Sequence, residues 1–162
     1  MPNKLSKFEA MVNEFLSPEQ AALALDLYAF LKENGFKLKW TSQPKGREPG
    51  GRGWVCHGDK QICIIKMRGK NWWTGLFKGY SDEQFALLDD HMDDDLRAYF
   101  HTHYYKVWCE GCGNQGRERH VFGKTINDLC ACSPLTTHKA DEKMLGYVKR
   151  YILVLSKFME EA

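Results

Sequence analysis

Four of the six cysteines in this 162-residue chain fall in two close pairs, Cys109/Cys112 and Cys130/Cys132. Both pairs lie in the segment VWCEGCGNQGRERHVFGKTINDLCACS, from Val107 to Ser133. A Cys-x-x-Cys turn lets two thiolates reach one zinc ion at about 2.3 Å each, while neighbouring backbone N–H groups point at the sulfurs. Gly111 and Gly113 give the backbone freedom that such a knuckle needs. Seventeen residues separate Cys112 from Cys130, enough for the chain to fold back and complete a tetrahedral four-cysteine site. The Cys-x-Cys spacing of the second pair chelates only if the chain bends sharply there. His101, His103 or His120 is therefore an alternative donor, although His103 falls on an apolar helical stripe and reads as a core histidine. A structural zinc site is the expectation, with Arg117, Arg119 and Lys124 as cations to offset its anionic thiolates. Two other readings stay open: buried thiols acting as small hydrophobes, and redox chemistry. The redox reading suits a pair at a helix N-terminus, whereas Cys109 follows a helical pattern.

A second group of residues is suited to binding. Trp40, Trp54, Trp72 and Trp73 are interleaved with basic side chains, and between Lys37 and Lys78 ten Lys and Arg stand against Glu48 and Asp59, a local net of +8. Trp40, Trp54, Lys66, Arg68, Trp72 and Trp73 are the candidate ligand-binding residues. Rings among cations are what single-stranded nucleic acid asks of a groove, and tryptophans also line small-molecule and protein sites. The plain alternative is that alternating aromatics pack the core. Against nucleic acid stands the segment SDEQFALLDDHMDDD, Ser81 to Asp95, whose seven acids and no Lys or Arg bring the whole chain to +2. No catalytic set is evident: His-Glu-x-x-His, the deaminase His-x-Glu pattern, the Gly-x-Ser-x-Gly elbow and the phosphate-binding loop are all missing from the sequence.

These residues must be positioned by an α+β arrangement. Leu5, Phe8, Val12 and Phe15 recur at helical spacing; Ser17-Pro18 opens a second helix, which Asn34-Gly35 closes. Phe36, Leu38 and Trp40 alternate with Lys37, Lys39 and Thr41 as a strand, and QPKGREPGGRG, Gln43 to Gly53, reads as a loop. A turn at Gly58-Asp59 pairs Cys56 with Gln61 and Trp54 with Cys63. That register places Trp54, Cys56, Cys63, Ile65 and Met67 on one face and Val55, Ile62, Ile64, Lys66 and Arg68 on the other. NWWTGLFK, Asn71 to Lys78, is the fourth strand. Ser81 and Gln84 form a capping box. Asp93 to Asp95 open a helix carrying Leu96, Tyr99, Phe100, His103 and Val107, which delivers Cys109 at its end. Met144, Val148, Tyr151, Ile152, Leu155 and Met159 mark a long closing helix.

From FKLKW through the hairpin to VFGKTINDLCACS and the closing helix, the chain resembles a family of small uncharacterised bacterial proteins, a domain of unknown function. The resemblance rests on the Phe122-Gly123-Lys124 turn, Leu129-Cys130 and the late amphipathic helix. It implies an α+β domain with an antiparallel sheet backed by helices, and brings no catalytic residues. The sequence thus predicts one domain over residues 1–162: a sheet of about four antiparallel strands packed by N-terminal, middle and C-terminal helices, with a zinc-knuckle-like segment at 107–133. Glu9 and Glu14 stand where a signal peptide needs an apolar core, and no apolar run reaches the roughly 18 residues of a spanning helix. A cytoplasmic protein without a membrane partner is expected, and in that compartment clustered thiols favour metal over disulfides. The functional ordering from sequence is binding of a small molecule or protein partner beside a structural zinc, then single-stranded nucleic acid, then an enzyme of unidentified class.

Overall fold

Ser6 and Ser17 each place a hydroxyl at a helix start, where it accepts an N–H that would otherwise have no partner. The first opens α1, Lys7–Phe15, through a reciprocal capping box with Glu9; the second opens α2, Pro18–Glu33, with its proline in the first turn. The remaining elements are β1 (Lys37–Ser42), β2 (Gly50–His57), β3 (Lys60–Arg68), β4 (Asn71–Leu76), α3 (Asp82–Asp89), α4 (Asp94–His103), β5 (Arg117–Val121), β6 (Lys124–Leu129), β7 (Leu135–Thr136) and α5 (Glu142–Glu161). The computed structural model describes residues 4–104, 116–130, 132, 134–136 and 139–161. Among these, β1-β2-β3-β4-β7 form an antiparallel five-stranded sheet and β5-β6 a separate hairpin. The class is α+β, as expected. The fifth strand is the two-residue β7, too short to leave a periodic signal. No helix of the described residues is long and apolar enough to cross a membrane.

The chain divides into two compact units, Met1–Thr74 with Thr137–Lys149, and Gly75–Thr136 with Arg150–Ala162. In the first, α1 and α2 lie on one face of the sheet. Phe8 of α1 meets the Trp40 ring edge-on at 5.0 Å, and Trp72 Nε1 donates to Gln20 Oε1 of α2 at 2.8 Å. Val12, Leu27, Leu31, Val55, Ile65 and Met67 are fully buried there. Lys149 of α5 pairs with Asp26 of α2 at 2.7 Å.

Two expectations fail in this unit, each for a steric reason. The stretch Gly50 to Gly53 is not loop but the start of β2. Side chains there would collide: a Cβ on Gly50 would meet Met67 O at 2.1 Å, and one on Gly53 would meet Leu38 Cδ1 at 2.5 Å. Glycine is thus a requirement of close packing here, not a mark of mobility. The hairpin turn falls at Gly58-Asp59 and pairs Cys56 with Gln61 as read from sequence, but a bulge then sets Val55 opposite Cys63 and Trp54 opposite Ile64. Ile62 is the extra residue, and it reverses the face assigned to Trp54.

In the second unit β4 ends at Leu76, two residues earlier than expected. Phe77 adopts a left-handed backbone (φ 59°) that breaks the strand. Its buried ring then sits among Phe85, Phe100, Phe122 and Tyr151 at centroid distances of 5.5–5.9 Å. Tyr151 of α5 donates its hydroxyl to Leu96 O. The helix expected to run through Val107 stops at His103, where Tyr104 caps it in extended backbone. His103 is on the surface rather than in the core, stacked on Tyr99 at 4.0 Å.

Candidate functional site

Strand alternation sorts the six candidate ligand residues into two groups. Cross-strand partners share a face, so Leu38, Trp40, Gly53, Val55, Cys63, Ile65 and Met67 line the helix-covered side. Trp72 is there too, since its indole reaches Gln20 and only 4% of the residue is exposed. Trp40 lies over the glycine floor of β2, with ring atoms 2.7 and 2.8 Å from where Cβ atoms on Gly51 and Gly53 would stand. Its buried Nε1 has no hydrogen-bond partner among the described residues, so packing alone holds the ring. Trp72 is therefore a core residue, and Trp40 is half-buried with its ring packed inward; the sequence reading grouped both with the binding set.

The opposite face collects the rest. Lys39, Trp54 and Ile64 form one row across β1, β2 and β3, and Thr41, Arg52 and Lys66 form the next; Ile64 and Cys56 on this side are buried, so the accessible part is the end with Arg52, Lys66 and Arg68. Arg68 ends the face opposite Gly50. Trp73 follows the inward Trp72 and so points outward, and the two-residue turn at Gly69-Lys70 brings it alongside Lys66 by the count of a hairpin. Trp54 and Trp73 stand two strands apart, roughly 10–12 Å. Both are half-exposed, as is Lys66, whereas Lys37, Lys39, Thr41, Arg52 and Arg68 are exposed. None of Lys37, Lys39, Arg52 or Arg68 has an ion-pair partner among the described residues. Arg52 joins this surface only because Gly50 to Gly53 is strand, which the sequence reading missed; the β-compatible alternation of Gly51, Gly53 and Val55 with Arg52 and Trp54 was the available signal.

The acidic segment has its own partners in the second unit. Asp82 binds the Arg119 guanidinium and accepts the His120 N–H. Asp89 and Asp94 hold Arg97 at 2.6 and 2.9 Å, and Asp93 and Asp95 both hold Arg150 at 2.7 Å. The Arg119 hydrogen bond keeps the Asp82 carboxyl below the usual range; for Asp93 the Leu96 N–H does so first, then Arg150. Five of the seven acids are thus committed to arginines of their own unit. Arg119, expected to balance a zinc centre, is one of these; it also donates to Tyr80 O.

Of the proposed metal ligands, Cys109 and Cys112 lie outside the described residues. Cys130 is buried and Cys132 half-buried, and neither is in a disulfide. No group of three metal-ligating side chains occurs among the described residues. The strands flanking these cysteines do converge. Arg117 is opposite Leu129, and a Cβ on Gly116 would touch the Asp128 backbone at 2.7 Å. The hairpin therefore brings Gly116, four residues after Cys112, beside the strand end from which Cys130 emerges. His101 bonds to Phe122 O at 3.1 Å and His120 contacts Thr125 at 3.3 Å. The other two cysteines, Cys56 and Cys63, are buried in the sheet. Burial, then the neighbouring Cys56, pushes the Cys63 thiol far up, which suits an inert packing residue. No family model, curated protein or solved structure matches the chain.

Proposed function

We propose that the chain binds single-stranded nucleic acid on the outward face of its sheet, at the end that carries Arg52, Lys66 and Arg68. The observation that carries this reading is the outward grouping of Trp54 and Trp73 with Lys39, Arg52, Lys66 and Arg68 across three adjacent hairpin strands and their edge strand β1. Half-exposed indoles offer flat surfaces on which bases of any sequence stack, and the surrounding cations track the phosphates. The reading reverses the order suggested by sequence, because five of the seven acids of the acidic segment are paired with Arg97, Arg119 and Arg150 of their own unit. A small-molecule pocket needs enclosure, whereas these side chains lie along a sheet face. Fluorescence anisotropy with a labelled single strand tests the reading, with Trp54→Ala and Arg52→Ala as the variants expected to weaken binding.

We also propose a structural zinc held by Cys109, Cys112, Cys130 and Cys132. Support comes from the β5-β6 hairpin, which sets Gly116, four residues after Cys112 in the sequence, beside the strand end that precedes Cys130. Four thiolates leave no open coordination position, so such a metal serves folding and not catalysis.

A further inference from the structure

A cleft of ≈ 250 Å³ opens at the β3-β4 turn, lined by Gln20, Lys70, Asn71, Trp72 and Lys139. Its back wall is fixed by one side chain. Gln20 Oε1 accepts from Trp72 Nε1 at 2.8 Å while Gln20 Nε2 donates to Ala140 O at 3.1 Å, tying β4 to the segment before α5. Lys139 is held beside this tie in a left-handed backbone conformation (φ 54°) that few non-glycine residues adopt. Lys70 and Lys139 have no acidic partner among the described residues. The cleft thus combines two cations, a carboxamide from Asn71 and a rigid wall, with no carboxylate among the described residues of its lining. That set fits a compact, doubly charged anion with several acceptor oxygens.

We infer that this cleft binds a phosphate monoester, supplied by the terminal phosphate of the strand lying on the outward face. The inference rests on the proposed nucleic-acid reading for its source of phosphate, and on the cleft alone for its chemistry. The cleft's wall of Trp72 and Gln20 belongs to the helix-covered side, and the β3-β4 turn links it round the sheet end to the outward face: Asn71 shares the outward side with Trp73, two residues or about 7 Å away, and Arg68 precedes the turn that carries Lys70. A terminal monoester carries more charge than an internal diester and exposes more acceptor oxygens, so two lysines distinguish an end from the middle of a strand.

The test compares one oligonucleotide in three forms: unmodified, 5′-phosphorylated and 3′-phosphorylated. One phosphorylated form is expected to bind about tenfold more tightly than the unmodified strand, the effect of one added charge-assisted contact. Lys70→Gln and Lys139→Gln should each remove most of that gain and leave binding of the unmodified strand within about twofold. Equal affinity for all three forms, or a gain that survives both substitutions, overturns the inference. Titration with inorganic phosphate separates the two proposals, read from the Trp72 indole N–H in a nitrogen–proton correlation spectrum. A saturable shift abolished by Lys139→Gln, without oligonucleotide binding, keeps the cleft as a phosphate site and rejects the strand as its source. Oligonucleotide binding without any phosphate response or end preference rejects the cleft and leaves the outward face standing.

Discussion

Trp54 stands opposite Ile64 on β3, one residue further than an uninterrupted hairpin from the Gly58-Asp59 turn would place it. The single bulge residue, Ile62, moves the indole from the helix-covered side of the sheet to the side carrying Lys39, Arg52, Lys66 and Arg68. Bulges re-aim side chains in this way without disturbing the rest of a ladder.

The four sheet tryptophans should therefore separate into two classes on mutation. Trp40→Ala removes a ring packed between Phe8 and the glycines of β2, and we expect it to cost about 3 kcal/mol or more of stability. Trp54→Ala should cost less than about 1.5 kcal/mol while lowering oligonucleotide affinity by about 1–3 kcal/mol, the range for one stacked base. Urea unfolding beside anisotropy checks both. Equal stability losses would place Trp54 in the core.

The glycine run at the start of β2 makes a second expectation. Gly53→Val introduces a branched side chain where Leu38 Cδ1 and Trp40 Cε3 already stand 2.5 and 2.8 Å from the Cβ position. Overpacking of this kind typically costs about 1–3 kcal/mol. Gly46→Val, where nothing lies within 4 Å of the Cβ but φ is +90°, should cost only its backbone strain, about 1 kcal/mol. Thermal melting of the two variants decides whether the segment is strand.

Much of this arrangement was legible in the sequence. Ser6, Ser17 and Ser81 announce three helix starts through capping chemistry that acts within one turn, and Gly58-Asp59 announces a hairpin. What was missed depends on partners distant in the chain. Nothing local in PGGRG says that Leu38 and Trp40 cover its glycines, and a bulge leaves no periodic trace until both strands are paired. The face of Trp54 was misassigned for that reason. Strand β4 was overrun to Lys78 because Phe77 is a good strand former locally, and only the aromatic cluster holds it at positive φ.

Acid should test the pairing of the acidic segment. Asp82 and Asp93 titrate below the usual carboxylate range in the fold. Their contribution is therefore fully present above the ordinary aspartate pKa of about 3.9 and is lost as pH falls through the lower folded values. Arg119→Leu should lower the melting temperature at neutral pH, and the gap from the parent protein should close as pH falls below the ordinary aspartate range. A constant gap across pH would mean that Arg119 acts by packing on the Phe85 ring, 5.7 Å away, rather than by charge.

Metal content bears on the cysteine segment. We expect about one zinc per chain by elemental analysis, and a loss of several kcal/mol of stability on chelation. Cys112→Ser should reproduce that loss. Cys56→Ser should leave metal content unchanged, since its thiol is buried in the sheet and contacts Trp54 O at 3.7 Å. Metal-free protein with an undiminished melting temperature would contradict the zinc site.

The most direct measurement is the salt dependence of single-strand binding. Each phosphate contact from Lys37, Lys39, Arg52, Lys66 or Arg68 releases a counterion, and five such contacts give a slope of about −3.5 in log affinity against log salt. We expect anisotropy titrations to show affinity that falls steeply from low to physiological salt. The slope should flatten by about 0.7 for each of Arg52→Ala and Arg68→Ala, and Trp54→Ala should weaken binding with little change in slope. Absence of binding at low salt, or binding whose slope is indifferent to Arg52 and Arg68, would contradict the proposal that the outward sheet face binds nucleic acid.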